Sequence, residues 1–155
     1  MLAGYRLQGD GRVSTTREHT QDTDLSFNYV QSDGAQDFRA FHHLAWRYLQ
    51  ISAPGEVLAA DAIRAIVEHV DVPPGKAASF ESDNASLNAV FELVRHSALH
   101  SAAVQFVDTP TREKGQFLAD TINISFATMA GYMERDLTQQ ALIEFASSQT
   151  RHWPD

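Results

Sequence analysis

The stretch from residue 84 to residue 106 constrains the fold most, because it has a helical pattern of apolar residues and its only charged residues are Glu92 and Arg95. A helix that is apolar on all sides packs in the middle of a bundle. We therefore predict a central helix enclosed by others, with Ser82 or Asp83 as its N-cap. One apolar face comprises Leu87, Val90, Phe91, Val94 and Ala98, and the opposite one Ala85, Ala89, Leu93, Leu99 and Ala103.

Helical periodicity also marks the rest of the chain after residue 34. The pattern predicts helices near residues 34–52 and 56–70, a helix opened by Thr109-Pro110, and a last helix that starts near Asp136. Asp33 and Gln36 have the spacing of a capping pair at the first of these helices. Residues 121–128 also alternate as a strand would, but the longer helical pattern favours a helix.

The first part of the chain, residues 1–34, has a different pattern, with single apolar residues among Thr, Ser, Gly and Asp. Gly9-Asp10-Gly11 favours a hairpin turn, and Leu25, Phe27 and Tyr29 alternate as on one face of a strand. The predicted fold class is therefore mainly α. It is a single domain over residues 1–155, with a short β-hairpin or meander before a bundle of about five helices in residues 35–150, two of them central.

Charge and composition narrow the classes of function. Twelve basic and 20 acidic residues give a formal charge of -8, which disfavours direct binding to nucleic acid. The chain has no cysteine, which excludes disulfides and thiol chemistry. The N-terminal residues lack the pattern of a secretory signal, and no apolar stretch has the length of a membrane span, so we expect a cytoplasmic protein that does not bind membranes.

Histidines form one candidate ligand site. His96 and His100 lie four residues apart and Glu92 one turn earlier, so a helix would place the three side chains on one face. His42 is a candidate from another element. Two imidazoles at this spacing can reach one metal ion, but the pattern supplies no definite third ligand, and we assign no metal and no cofactor. The alternative use of these residues is to line a cleft for a small ligand.

Acidic residues form the second candidate site. Residues 18–37 contain five carboxylates and no Lys or Arg, a combination that can attract a basic partner. Trp46 is a further candidate contact residue, because indole rings are common in interfaces. The predicted partner-binding residues are Glu18, Asp22, Asp24, Asp33, Asp37 and Trp46.

These observations favour a non-enzymatic, acidic protein-binding module: an inhibitor, immunity or regulatory factor that engages a basic or nucleic-acid-binding protein. The sequence contains no phosphate-binding loop, nucleophile elbow or dinucleotide fingerprint, and so assigns no catalytic residue. Two alternatives stay open. One is a helical-bundle protein, including a hydrolase, that binds a metal or small ligand at His96 and His100. The other is a structural or assembly subunit, and self-association into a homo-oligomer is compatible with either.

Overall fold

The computed structural model describes residues 1–41, 43–55 and 57–152. Within these residues the chain forms four α-helices and one antiparallel sheet of two short strands, and it divides into two compact units, Met1–Ile66 and Val67–Asp155. Most of the regular structure is helical, and the prediction of a single domain stays a prediction. The elements are β1 (Leu2–Gly4), α1 (Arg17–Thr20), β2 (Tyr48–Gln50), α2 (Ala85–His100), α3 (Leu118–Tyr132) and α4 (Asp136–His152).

The first unit is built on the pairing of β1 with β2, in which Ala3 lies opposite Leu49. The predicted hairpin follows β1 and is confirmed: the Gln8 N–H donates to the Arg12 carbonyl at 2.8 Å, and Gly11 has φ +81°. That left-handed conformation suits glycine because a side chain would be strained there.

Beneath these strands lies a small apolar core. Ala3, Val13 and Leu25 are buried, and Leu25 is among the largest fully buried side chains of the described residues. The stretch around Leu25 does not form a full strand, because its ladder is limited to a single bridge between Leu2 and Ser26.

The two helices predicted for residues 34–70 are wrong. Tyr48–Gln50 forms β2, and Ala60–Ala62 forms a single turn of 3-10 helix. Gln36 does not cap a helix either; it bonds to Tyr29 and Ser32. A short helix is stable in water only when it buries an apolar face. The helix predicted near residues 56–70 lacks this support at Val57, whose side chain is 98% exposed.

The second unit contains α2, α3 and α4. Its core is formed by the loop after α2 and by α4: Phe106 and Ala102 are completely buried and pack with Leu137 and Ala141. Helix α4 confirms the predicted start at Asp136 and extends to His152. Its first turn is held by buried Glu134, whose carboxylate accepts the Leu137 N–H at 2.7 Å.

Helix α2 is not the enclosed centre of a bundle, which corrects the prediction for residues 84–106. Only some of its side chains turn inward, among them Asn88, Phe91, Arg95 and Ala98, whereas Leu93 is 65% exposed. The helix ends at His100, and the chain turns back so that Phe106 can reach the core. The N-cap is Asn84, not Ser82 or Asp83: its side chain accepts from the Ser86 and Leu87 N–H groups.

Helix α3 confirms that residues 121–128 are helical, but it begins at Leu118 and not at Thr109-Pro110, where the chain makes a turn. Its buried face is small and polar. The Thr128 hydroxyl donates to the Ile124 carbonyl at 3.0 Å, and the Ser125 hydroxyl donates to the Ile122 carbonyl at 2.9 Å. Because these hydroxyls are satisfied within their own helix, they can be buried at little cost.

A close contact joins α3 to α2. The Tyr132 hydroxyl donates to the Arg95 carbonyl at 3.0 Å, and a Cβ at Gly131 would lie 3.3 Å from the Arg95 Cγ. Leu118, Ile122 and Phe126 of α3 lie on another face, which is exposed, whereas Ile124 packs against the core. Among the described residues, none of the helices is long and apolar enough to cross a membrane.

Candidate functional site

Three aromatic side chains cluster on the surface of the first unit, and we call them the aromatic patch: Phe27, Tyr29 and Phe38. The rings of Tyr29 and Phe38 stack with centroids 4.3 Å apart, and the Phe27 centroid lies 6.5 Å from that of Phe38. Tyr29 and Phe38 remain 40% and 45% exposed, so the stack is accessible from solvent. The Phe27 N–H donates to the Met1 carbonyl at 2.9 Å, which attaches the patch to the β1 end of the unit.

The loop between Tyr29 and Phe38 is held in shape by Gln36. The Gln36 side-chain carbonyl accepts from the Tyr29 hydroxyl and from the Ser32 N–H, and its amide donates to the Ser32 hydroxyl. These bonds connect both ends of the loop to its middle. The stacked pair therefore rests on a loop with its own hydrogen-bond network, a favourable arrangement for a binding surface.

Carboxylates accompany this patch along the chain. Asp33 lies within the loop and Asp37 directly precedes Phe38; both are exposed and make no ion pair within the described residues. Asp24 precedes the patch, and hydrogen bonds from the Ser26 hydroxyl and N–H lower the pKa of its carboxyl group. Asp24 therefore keeps its negative charge to a lower pH than a free aspartate.

The two remaining acidic candidates lie at α1. Glu18 is exposed in this short helix, and Asp22 forms an ion pair with Arg17 at 2.6 Å. Because Arg17 offsets one charge, the acidic surface is weaker at this end than the sequence indicated. Asp33 and Asp37, which lie next to the aromatic patch in sequence, have no ion pair within the described residues that would offset their charges.

The sequence predicted that Trp46 lies on a helix. It lies instead in the irregular segment before β2, where its side chain is 41% exposed. Its neighbour Arg47 donates its backbone N–H to the Gly4 carbonyl at 3.0 Å and places its guanidinium 5.5 Å from the Tyr48 ring centroid. The described contacts do not join Trp46 to the aromatic patch, and its role in binding stays a prediction.

The histidine pair has the expected helical geometry. In α2 the Nε2 atoms of His96 and His100 are 3.0 Å apart and the two rings meet edge to face. Glu92 does not join them, because its carboxylate pairs with Arg95 at 2.5 Å. His42 lies outside the described residues. Within the described part of the chain, no three His, Asp or Glu groups are arranged to hold a metal ion.

His100 gives the protein a pH dependence. Burial, and then the charges that His96 and His69 would carry, lower the pKa of His100 from its ordinary value. The unfolded chain binds this proton near pH 6.5 and the folded chain only at lower pH. The free energy of unfolding should therefore be highest above that pH, fall as the pH decreases towards the folded-state pKa, and then level off.

Replacing His100 with Gln should flatten this dependence. Urea unfolding followed between about pH 8 and 5 measures it. An equally steep decline in the native protein and in His100→Gln would contradict the assignment.

Sequence reasoning missed the aromatic patch as a site. Phe27 and Tyr29 were predicted to lie on one face of a strand that does not form, and Phe38 was assigned to a helix, so the stack could not be foreseen. The available signal was local: two aromatic residues bound a short, Gly- and Ser-containing loop that is rich in acid.

Comparisons with known proteins assign no family to this arrangement: no family model, no curated protein and no solved structure matches the chain.

Proposed function

We propose that this protein is a non-enzymatic binding module that captures an arginine- or lysine-bearing segment of a basic partner protein on the aromatic patch. The observation that carries the proposal is the exposed stack of Tyr29 and Phe38, with the carboxylates of Asp33 and Asp37 beside it in sequence. A basic or nucleic-acid-binding protein is the class of partner that offers such a segment.

The chemistry of the patch fits a cation. Aromatic faces attract guanidinium and ammonium groups, and an exposed contact contributes about 0.5–1 kcal/mol. The planar guanidinium can also stack on a ring while its N–H groups bond to a carboxylate, so arginine should be preferred over lysine. The first unit contains one such contact internally, between Arg47 and Tyr48.

Charge supports capture at longer range. The chain has a formal charge of -8, and residues 18–37 hold no Lys or Arg. A negative surface accelerates association with a positive partner, and salt weakens this attraction because the Debye length is about 10 Å at 0.1 M salt. Arg17 and Arg39 border the segment, and Arg17 is paired with Asp22, which leaves Asp33 and Asp37 to meet a ligand.

Fluorescence anisotropy with labelled peptides tests the proposal. The probes are an arginine-rich peptide, a lysine-rich peptide of equal length and charge, and an acidic peptide. We expect the arginine peptide to bind best, the acidic peptide not to bind, and the affinity to fall as NaCl rises. Phe38→Ala should weaken binding about two- to fivefold, since a contact of about 0.5–1 kcal/mol is lost and about 1.4 kcal/mol corresponds to tenfold.

A matched control is available in Phe80→Ala. Phe80 is 46% exposed and contacts another aromatic ring, that of Phe91, but it lies in the second unit. Its substitution should leave peptide binding unchanged, whereas Asp33→Asn with Asp37→Asn should reduce both the affinity and its dependence on salt. Equal affinities of Phe38→Ala and Phe80→Ala for the arginine peptide would overturn the proposal, as would binding indifferent to salt.

A further inference from the structure

We infer that α3 is a self-association surface, on which a second copy of this chain packs its own α3 in antiparallel orientation. The inference concerns the second unit and does not depend on the proposed capture of a basic segment. It starts from a surface called here the α3 stripe, which comprises Leu118, Ile122, Phe126 and Met129 on one face of α3 and Met133 at the C-cap of that helix.

The α3 stripe is continuous and open to solvent. Its members are separated by four, four, three and four residues, the spacing that keeps side chains on one side of a helix. From Leu118 to Met133 it extends roughly 22 Å at 1.5 Å per residue. The exposed fractions are 59% for Leu118, 45% for Ile122, 64% for Phe126 and 54% for Met133, and Met129 is half-buried.

The stripe is not needed for packing within its own unit. Helix α3 packs through other positions, where Thr121, Ser125, Thr128 and Tyr132 are buried and Ile124 packs against the core cluster. Three large apolar side chains of the helix, those of Leu118, Ile122 and Phe126, are thus left outside. Exposing them costs free energy unless another surface covers them, since burial is worth about 25 cal/mol per Å².

The arrangement of the stripe suits a second copy. Leu118 and Met133 are equally distant from the midpoint between Ser125 and Phe126, and so are Ile122 and Met129. An antiparallel two-fold pair would therefore set Leu118 against the partner copy's Met133 and Ile122 against its Met129. Such self-complementarity is what a symmetric dimer interface requires.

Charge also permits this pairing and argues against a lipid surface. No charged residue occurs between Thr121 and Met133, so two copies meet there without like charges in contact. Helices that lie on membranes usually carry Lys or Arg on their polar face, and α3 contains neither. Because each copy carries a formal charge of -8, salt should strengthen self-association, the opposite of its effect on capture of a basic segment.

The exposed apolar area of the α3 stripe indicates how tightly two copies should associate. At about 200 Å² for a large side chain, the exposed part of the stripe amounts to on the order of 400 Å² per copy. This is about half of the ~800 Å² that each partner contributes to a standard interface, and it is comparable with the largest apolar patch of a typical monomer. We therefore expect a weak dimer with a micromolar Kd.

Sedimentation velocity of the full chain between about 5 and 500 µM, in low and high NaCl, tests the inference. We expect a monomer–dimer equilibrium that shifts towards dimer in high salt. Ile122→Glu should raise the Kd at least tenfold. Ile143→Glu is the matched control: Ile143 is 58% exposed on α4, outside the stripe, and its substitution should change the Kd less than twofold. Circular dichroism verifies that both variants fold.

Cysteine crosslinking tests the orientation, because the chain has no native cysteine. A disulfide needs Cα atoms within about 7 Å, so a mixture of Leu118→Cys and Met133→Cys should form the mixed disulfide, whereas Leu118→Cys alone should not crosslink. A monomer at every concentration and salt would overturn the inference and leave the stripe to a different protein. Equal loss of dimer in Ile122→Glu and Ile143→Glu, or efficient crosslinking of Leu118→Cys with itself, would also overturn it.

Discussion

Replacing Phe106 with alanine is expected to destabilise the second unit by about 3–5 kcal/mol, a large fraction of the total stability of a typical domain. Phe106 is completely buried, and its ring contributes to the core with Ala102, Leu137 and Ala141. The other core members are mostly small, so they cannot fill the space that the ring would leave. The residual cavity should therefore add its full penalty to the lost burial.

Thermal and urea unfolding followed by circular dichroism measure this loss, because the long helices belong to the second unit. Phe117→Ala is the control: Phe117 is 52% exposed, and its truncation should cost about 1 kcal/mol or less. If both variants lose stability equally, Phe106 is not the centre of this core.

The second large effect is expected at Gly4. A Cβ added there would lie 2.4 Å from the Val13 Cγ1 atom, closer than real Cβ contacts. Because Val13 is itself 4% exposed and held in the core of the first unit, it cannot easily move away. Gly4→Ala should therefore destabilise the first unit by about 1–3 kcal/mol through overpacking.

A double-mutant cycle identifies the cause. Val13→Ala removes the methyl group that a Cβ at Gly4 would meet, so the combined variant should lose about 0.5–3 kcal/mol less than the sum of the single variants. Gly9→Ala is the matched control, since a Cβ at Gly9 meets no atom within 4 Å. Strict additivity of Gly4→Ala and Val13→Ala would show that the methyl contact is not responsible. Chemical unfolding with a near-ultraviolet signal provides the measurement.

Local signals predicted the elements that depend on neighbours in sequence. The Gly9-Asp10-Gly11 turn formed its hairpin because glycine conformations select turn types. The helical pattern of residues 121–133 was also decisive, and α3 has the predicted apolar periodicity. The start of α4 at Asp136 agrees with the prediction because an acidic first turn favours a helix N-terminus.

Long-range partners decided the elements that were predicted wrongly. Tyr48–Gln50 has apolar residues compatible with a helix, but it pairs with β1, which lies far away in the sequence. The pattern of α2 gave two apolar faces and predicted that both would be covered, whereas only one of them is partly covered. The answer depends on Arg95, whose side chain packs near Gly131 although its charge suggested an outward position.

The sequence predicted the acidic residues near the candidate site but not the arrangement of its aromatic side chains. The acidic residues were found because charge is visible in composition, whereas the stack of Tyr29 on Phe38 depends on how Gln36 folds the loop between them. Pairing of His96 with His100 followed from helix geometry. The ion pair between Glu92 and Arg95 did not follow from helix geometry. Arg95 and His96 both lie within one helical turn of the Glu92 carboxylate, so the spacing does not decide which of them it contacts.

The close approach of Gly131 to Arg95 has a consequence for how α2 and α3 are aligned. The buried hydroxyls of Ser125 and Thr128 bond to their own helix and so offer α2 no directional partner. If α3 slid by one turn so that Ala127 took the place of Gly131, a Cβ would lie only 3.3 Å from the Arg95 Cγ. Tyr132 would also lose its bond to the Arg95 carbonyl. The absence of a side chain at Gly131 and the hydrogen bond of the Tyr132 hydroxyl therefore select the axial register of the two helices. Interdigitating apolar side chains do not.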